Sequence, residues 1–317
     1  MQYKSLGRSG VKVSRLSLGT NNFGRDADEE TTVRIVKKAI DCGINSIDGA
    51  NVYTGGKSEE LIGKALRGDR SRVVLATKVG MPYGKGTAMG PNEYGLSRKH
   101  IMWQLGESLR RLQTDYLDIY YMHRFDPETP LEETLKTFDY LIREGKVLYL
   151  ACSNFTVENM RSMNEVSERL GLERIVALLP RYNLLDREAE KELLPYCLQN
   201  QLGVVTYSPL SGGLLTGKYL AGQPPPKGSR AASAAYYWER INKPENFAVV
   251  DRLRAAAAKA GIPLSSLAIH WIARNPAVTS VIVGASRPEQ VEENCRLFEA
   301  EPPAEALAAV DAAAIGR

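Results

Sequence analysis

The sequence predicts an α/β fold of the (β/α)8 TIM-barrel class. The first observation is a series of eight short apolar runs, at residues 16–19, 44–47, 73–77, 117–122, 147–152, 175–179, 204–207 and 280–283. The second is what separates most of them: stretches whose apolar residues recur at helical spacing. That alternation is expected of parallel strands joined by crossover helices. Eight such units in 317 residues fit a closed barrel. An open doubly wound sheet is the competing arrangement, and its usual mark is a GxGxxG turn after the first strand. Here the first run leads into Leu18-Gly19-Thr20-Asn21-Asn22-Phe23-Gly24, which lacks that pattern. No Ser/Pro-rich linker divides the chain, so residues 1–317 are expected to form a single domain.

In chain order, residues 1–13 read as a small N-terminal hairpin about a Gly7-Arg8-Ser9-Gly10 turn. Residues 28–42 place Val33, Val36 and Ile40 on one face, and Asp28, Thr31 and Thr32 offer capping groups. Residues 98–113 put Ile101, Leu105, Leu109 and Leu112 at helical spacing. Residues 131–144, 156–170, 187–200 and 288–298 behave similarly, 263–274 reads as an extra helix, and the Ala-rich tail from Pro303 as another. Gly43, Gly145, Gly171 and Gly203 follow helices and precede strands, where a left-handed cap is wanted. Two long irregular stretches interrupt the pattern. Residues 80–95, Gly-rich with Pro82 and Pro91, follow the third barrel strand. Residues 217–246, with Pro224-Pro225-Pro226 and Lys227-Gly228-Ser229-Arg230, follow the seventh. Loops this long are commonly lids or binding loops, and both leave from strand C-termini, the face on which barrel enzymes keep their sites.

Composition excludes several classes of function. The 44% hydrophobic and 25% charged content belongs to a soluble globular protein, and the net charge of +4 comes from interspersed residues without a basic stripe. Nucleic-acid binding is therefore not expected. No apolar run approaches the roughly 20 residues of a membrane span, and no signal-peptide core is visible. Four scattered cysteines (Cys42, Cys152, Cys197, Cys295) read as free thiols of a reducing cytoplasm. Three histidines far apart argue against a metal site.

The strand ends carry the chemistry. The second barrel strand ends at Asp48, and Tyr53 follows one short loop later, after Gly49-Ala50-Asn51-Val52. The third ends at Lys78, the fourth at His123, the fifth at Ser153-Asn154. Singly, each is a turn cap, a solvated charge or a rim residue. On consecutive strands of a barrel these positions converge on one mouth. A phenol near pKa 10 is a poor acid at neutral pH, and an adjacent ammonium is expected to lower that value. Asp48 keeps Lys78 charged, and His123 offers a hydrogen bond to a carbonyl oxygen beside Tyr53. A general acid and an oxyanion stabiliser suit carbonyl reduction. Such a site needs an electron source, hence a hydride-carrying cofactor.

The residues resemble the aldo-keto reductases over essentially the whole chain. The matching stretches include Lys57-Ser58-Glu59-Glu60-Leu61-Ile62-Gly63, Ser108-Leu109-Arg110-Arg111-Leu112-Gln113-Thr114-Asp115-Tyr116, Ala151-Cys152-Ser153-Asn154-Phe155 and Tyr207-Ser208-Pro209-Leu210. The resemblance implies a (β/α)8 barrel, NADPH as cofactor, a small carbonyl substrate and Asp48, Tyr53, Lys78 and His123 as catalytic tetrad. It further implies that Ser153 and Asn154 hold the carboxamide and that Tyr207 stacks on the nicotinamide. Ser208, Pro209, Leu210, Gly212 and Lys218 then surround the pyrophosphate, with Gly19, Thr20, Asn21 and Asp48 on the near wall. Gly284, Ser286, Arg287, Gln290, Glu293 and Asn294 open the last helix, where Ser286 and Arg287 suit a 2′-phosphate. Arg230 and Lys227 are expected to fold over the cofactor. One position departs from the family pattern: Leu179 stands where a Gln commonly grips the carboxamide, with Arg181 as a possible substitute. Related channel β subunits make the alternative function an NADP(H)-binding, redox-sensing regulatory subunit. A barrel glycosidase would need two facing carboxylates, and only Asp48 stands in a convincing place. The sequence leaves the aldehyde or ketone and the oligomeric state open.

Overall fold

The computed structural model describes residues 1–82, 90–233 and 235–314. Part of the long loop expected at 80–95 thus lies outside the described residues. Strands β1 (Tyr3–Ser5) and β2 (Lys12–Ser14) pair antiparallel as the hairpin, with Tyr3 opposite Ser14 and Ser5 opposite Lys12. Eight parallel strands then close a barrel: β3 (Leu16–Gly19), β4 (Ser46–Asp48), β5 (Val74–Val79), β6 (Leu117–Met122), β7 (Val147–Ser153), β8 (Ala177–Leu179), β9 (Gly203–Thr206) and β10 (Val278–Gly284). Each neighbours the next in sequence, and β10 pairs with β3 to complete the ring. The fold is the expected (β/α)8 barrel with its N-terminal hairpin.

The helices outside the sheet are α1 (Glu29–Asp41), α2 (Lys57–Ala65), α3 (Arg98–Leu112), α4 (Leu131–Arg143), α5 (Val157–Leu170) and α6 (Leu193–Gln199). There follow α7 (Arg230–Ser233), α8 (Ala235–Ile241), α9 (Pro244–Ala260), α10 (Leu264–Ala273), α11 (Pro288–Glu299) and α12 (Ala304–Ala314). Their starts are fixed locally. Asp28 accepts from the Thr31 amide at 2.9 Å, Ser97 caps α3, and Thr156 with Asn159 forms a reciprocal capping box on α5. Residues 187–200 do not form the expected continuous helix. A single tight turn at Glu188–Glu190 precedes a short α6, and Arg187 is held to Glu190 beside that turn. The segment after β9 is long, as expected, and folds into α7 and α8 within it.

The barrel interior is a separate apolar cluster that includes Val74, Ala76, Ile119, Tyr121, Ala151, Leu179 and Val205. Leu6 and Val13 of the hairpin join it, so the hairpin plugs the barrel from the end opposite the strand C-termini. Gly203, expected as a left-handed cap, is instead the first residue of β9. A side chain there would meet Leu6 Cδ1 at 2.7 Å and the Gly7 amide at 2.9 Å, so the plug requires its absence. With that end filled, the C-terminal mouth is the open one. No helix among the described residues is long and apolar enough to cross a membrane.

Candidate active site

The register brings the strand-end residues level. Asp48 lies opposite Gly19 on one side and Ala76 on the other, and Lys78 lies opposite Tyr121. Lys78 is 1% exposed, and its ammonium donates to both Asp48 oxygens at 2.8 and 2.7 Å and to the Gly49 carbonyl at 2.7 Å. A fourth contact, at 3.2 Å, is to the Tyr53 hydroxyl. Tyr53 reaches the mouth because its loop is tightly held: the Gly49 amide donates to Ala76 O at 2.8 Å and the Tyr53 amide to Ala50 O at 3.1 Å. The His123 ring stands edge-on to Tyr53, 6.3 Å between centroids, and its backbone amide donates to Val79 O at 2.8 Å.

Burial in this mouth sets the protonation states. Burial alone depresses Lys78, but Asp48 and Tyr53 together hold it above its ordinary value, so it stays an ammonium. Asp48 is raised by burial against the pull of Lys78. His123 is pushed down to about 3 by burial, then by the charges of Lys78 and Arg124, so the imidazole is neutral. Tyr53 differs from expectation: its pKa is raised, not lowered. Desolvation of the phenolate is the largest cause and outweighs the charge of Lys78, which Asp48 partly cancels.

A second chain of hydrogen bonds lies beside the first. The Tyr207 hydroxyl donates to Asn154 Oδ1 at 2.8 Å, Asn154 Nδ2 donates to Ser153 Oγ at 3.0 Å, and Ser153 Oγ donates to the Leu179 carbonyl at 3.0 Å. Asn154 Nδ2 also reaches the His123 carbonyl at 3.1 Å. The two groups therefore meet at His123, just past the end of β6.

Both flank a cavity of 1180 Å³. Tyr53, Lys78, His123 and Asp48 line it, and so does every residue the sequence assigned to a cofactor, from Gly19, Thr20 and Asn21 to Glu293 and Asn294. Leu179 lines it as well, whereas Arg181 does not, which places Arg181 on the wrong side of Tyr207 to replace a Gln. Thr20 Oγ1, expected on the near wall, donates to Asp48 O at 2.9 Å. Several residues escaped the sequence reading. Asn22 Nδ2 donates to Ala285 O at 2.6 Å and Asn183 Nδ2 to Ser208 O at 2.9 Å. Asn22 stood in the quoted strand exit and carried the signal of a polar residue at a strand end. Ser265 also lines the cavity and has no such signal.

The residues present fit a dinucleotide. Lys218, Arg230 and Arg287 line one stretch of the cavity, and none pairs with a carboxylate among the described residues. Burial holds Lys218 below its ordinary value, with Arg287 and Arg230 adding repulsion. Such a group of cations is stabilised by a polyanion. Just before α11 the Ser286 amide donates to Gln290 Oε1 at 2.7 Å. Among the described residues no metal-ligating cluster occurs.

A sequence profile of the Aldo/keto reductase family matches residues 15–315. The chain belongs to that family. It is thereby an NAD(P)H-dependent oxidoreductase. Relatives of the reductase include a probable voltage-gated potassium channel subunit beta from Oryza sativa subsp. japonica, 38% identical over 95% of this chain and 92% of the relative. The oxidoreductase YrpG of Bacillus subtilis is 39% identical over 94% of this chain and 91% of its own length. The L-glyceraldehyde 3-phosphate reductase of Escherichia coli O157:H7 is 36% identical over 93% of this chain and 86% of its own.

Proposed function

We propose that this reductase converts an aldehyde or ketone to the alcohol with NADPH, Tyr53 giving the proton. The observation that carries the reading is the position of Lys78 Nζ, in contact with Asp48 and 3.2 Å from Tyr53 OH. When bound, the nicotinamide supplies the hydride to the carbonyl carbon. The Tyr53 hydroxyl hands its proton to the carbonyl oxygen, and the phenolate left behind is stabilised by the Lys78 ammonium. Asp48 holds that ammonium in place and charged. His123 is neutral at working pH and offers its N–H to the same oxygen, which polarises the carbonyl. Ser153 and Asn154 orient the carboxamide, and Tyr207 offers its ring face to the nicotinamide. Lys218, Arg230 and Arg287 hold the phosphates, and Arg287 with Ser286 favours the 2′-phosphate of NADPH over NADH. We take residues 1–317 as one functional domain, and the free thiols as those of a cytoplasmic protein.

The test is Tyr53→Phe. It is expected to bind NADPH normally and to lose roughly 10²- to 10⁴-fold in kcat on 4-nitrobenzaldehyde. Wild-type turnover by this variant would show that another group gives the proton. The relatives named as channel β subunits favour a second reading, an NADP(H)-sensing regulatory subunit. Tight NADPH binding by the wild-type protein, with no turnover of any aldehyde or ketone in a broad panel, would select it.

A further inference from the structure

The turn that follows Tyr53 is left-handed for three residues in a row. Thr54 has φ 48° and ψ 38°, Gly55 φ 61° and ψ 41°, and Gly56 φ 81°. Glycine enters this region without steric cost, whereas a β-branched side chain there is strained. Thr54 is the one β-branched residue with positive φ among the described residues. Such strain persists only where the surroundings over-determine the backbone, and it gathers at functional sites.

The surroundings act on Thr54 through its hydroxyl. Thr54 Oγ1 donates to the Phe23 carbonyl at 2.7 Å and accepts from the Ser58 amide at 3.1 Å. The second bond gives α2 a side-chain cap that its own N-cap residue, Gly56, cannot supply. Ser58 Oγ in turn donates to the Thr20 carbonyl at 2.9 Å. Phe23 is fully buried, and its amide donates to the same Thr20 carbonyl at 3.1 Å. The packing is close, since a side chain on Gly24 would meet Lys57 Cγ at 2.7 Å.

The other end of the Tyr53 loop is tied to the same segment. Thr20 Oγ1 donates to the Asp48 carbonyl at 2.9 Å. The loop from Asp48 to Tyr53 thus has both ends fastened to residues 20–23, the exit of β3. Lys78 spans those two ends, with its ammonium 2.7 Å from Asp48 Oδ2 and 3.2 Å from the Tyr53 hydroxyl. Thr54 does not line the large cavity, so its part is to place Tyr53 and not to meet a ligand.

We propose that Thr54 is a positioning residue for the reduction, whose hydroxyl bond to Phe23 O locks the left-handed turn that aims the Tyr53 phenol. Serine in its place keeps the bond, whereas glycine keeps the turn and loses the bond. Moving an acid by about 1 Å costs up to about a hundredfold in rate. The inference rests on Tyr53 as the proton donor, as proposed above.

The experiment measures kcat, KM, the solvent deuterium isotope effect on kcat and the NADPH dissociation constant, with 4-nitrobenzaldehyde as substrate. Glycine adopts the left-handed turn readily, so Thr54→Gly is expected to fold. It is expected to lose about ten- to hundredfold in kcat. Its KM and NADPH dissociation constant are expected to stay near wild type, while the solvent isotope effect grows because proton transfer becomes the slower step. Thr54→Ser is expected to keep most of the wild-type kcat. In a Tyr53→Phe background Thr54→Gly is expected to cost nothing further, because its effect passes through the phenol. Wild-type kcat in Thr54→Gly would overturn the proposal, and so would equal losses in the glycine and serine variants. A loss matched by weaker NADPH binding, or one undiminished in the Tyr53→Phe background, would overturn it too. Wild-type turnover by Tyr53→Phe alone removes the acid assignment and this inference with it. An inactive Tyr53→Phe beside a fully active Thr54→Gly removes only the role of Thr54.

Discussion

The Tyr53 hydroxyl lies 3.2 Å from the Lys78 ammonium, yet burial and not that charge sets its proton affinity. Lys78 spends its remaining contacts on Asp48 and on the Gly49 carbonyl. The carboxylate offsets part of the field the ammonium exerts on the phenol. The pairing keeps Lys78 charged in a place where a lone ammonium would lose its proton. Tyr53 is accordingly held protonated, as the proposed proton donor must be, and in that proposal Lys78 acts on the phenolate only as it forms.

This arrangement predicts the pH profile. His123, held down to about 3, and Tyr53, held above its ordinary value, both titrate outside the neutral range. With saturating NADPH, kcat for reduction is expected to change by less than about threefold between pH 6 and 9. A midpoint inside that range that disappears in His123→Gln would mean the imidazole is charged at work, contrary to this account.

The same depression couples stability to pH. Unfolded histidine binds a proton near pH 6.5, and folded His123 refuses it until about 3. The contribution of this site is thus complete above about 6.5 and is lost as pH falls toward 3, by at most about 1.4 kcal/mol per unit. Urea unfolding at pH 7 and pH 5 should show a smaller acid loss for His123→Gln than for wild type. Equal losses would show that the site does not exclude the proton.

Leu179 predicts a change in cofactor affinity. Its carbonyl accepts from Ser153 Oγ, and its side chain lines the cavity but offers a carboxamide nothing polar. Glutamine of similar size supplies one donor and one acceptor there. Leu179→Gln is expected to bind NADPH about three- to tenfold more tightly by fluorescence titration. It is also expected to melt lower without cofactor, because the amide is then buried without partners. Equal dissociation constants would remove Leu179 from the grip on the nicotinamide.

The strand-end residues were legible because a buried apolar run that stops at Asp48, Lys78 or His123 has few packing reasons to stop there. Level register then follows from barrel closure. What the residues could not reveal depends on contacts distant in the chain. Helix α2 escaped because Ser58 and Glu59 sit on its buried face, which spoils the apolar period. Helix α9 escaped because its run of alanines blurs the distinction between faces. Gly203 was assigned a local turn, whereas its reason lies in the hairpin far away in sequence. The Tyr53 pKa went the wrong way because the sequence shows its charged neighbours and not its desolvation.

Glu59 also shows how the site is braced from behind. Its carboxylate is 0% exposed, accepts from Thr77 Oγ1 at 2.6 Å and from Arg111 Nε at 2.8 Å. Thr77 precedes Lys78 in β5, so this buried pair links α2 and α3 to the strand that carries the ammonium. Removing one charge leaves the other buried and unpaired, which costs more than removing both. Arg111→Met is expected to destabilise by about 3–5 kcal/mol in chemical denaturation, whereas Glu59→Leu with Arg111→Met recovers most of that loss. The coupling between the two positions should be at least about 2 kcal/mol. Additive effects of the two substitutions would show that solvent, and not the partner, compensates the Glu59 charge.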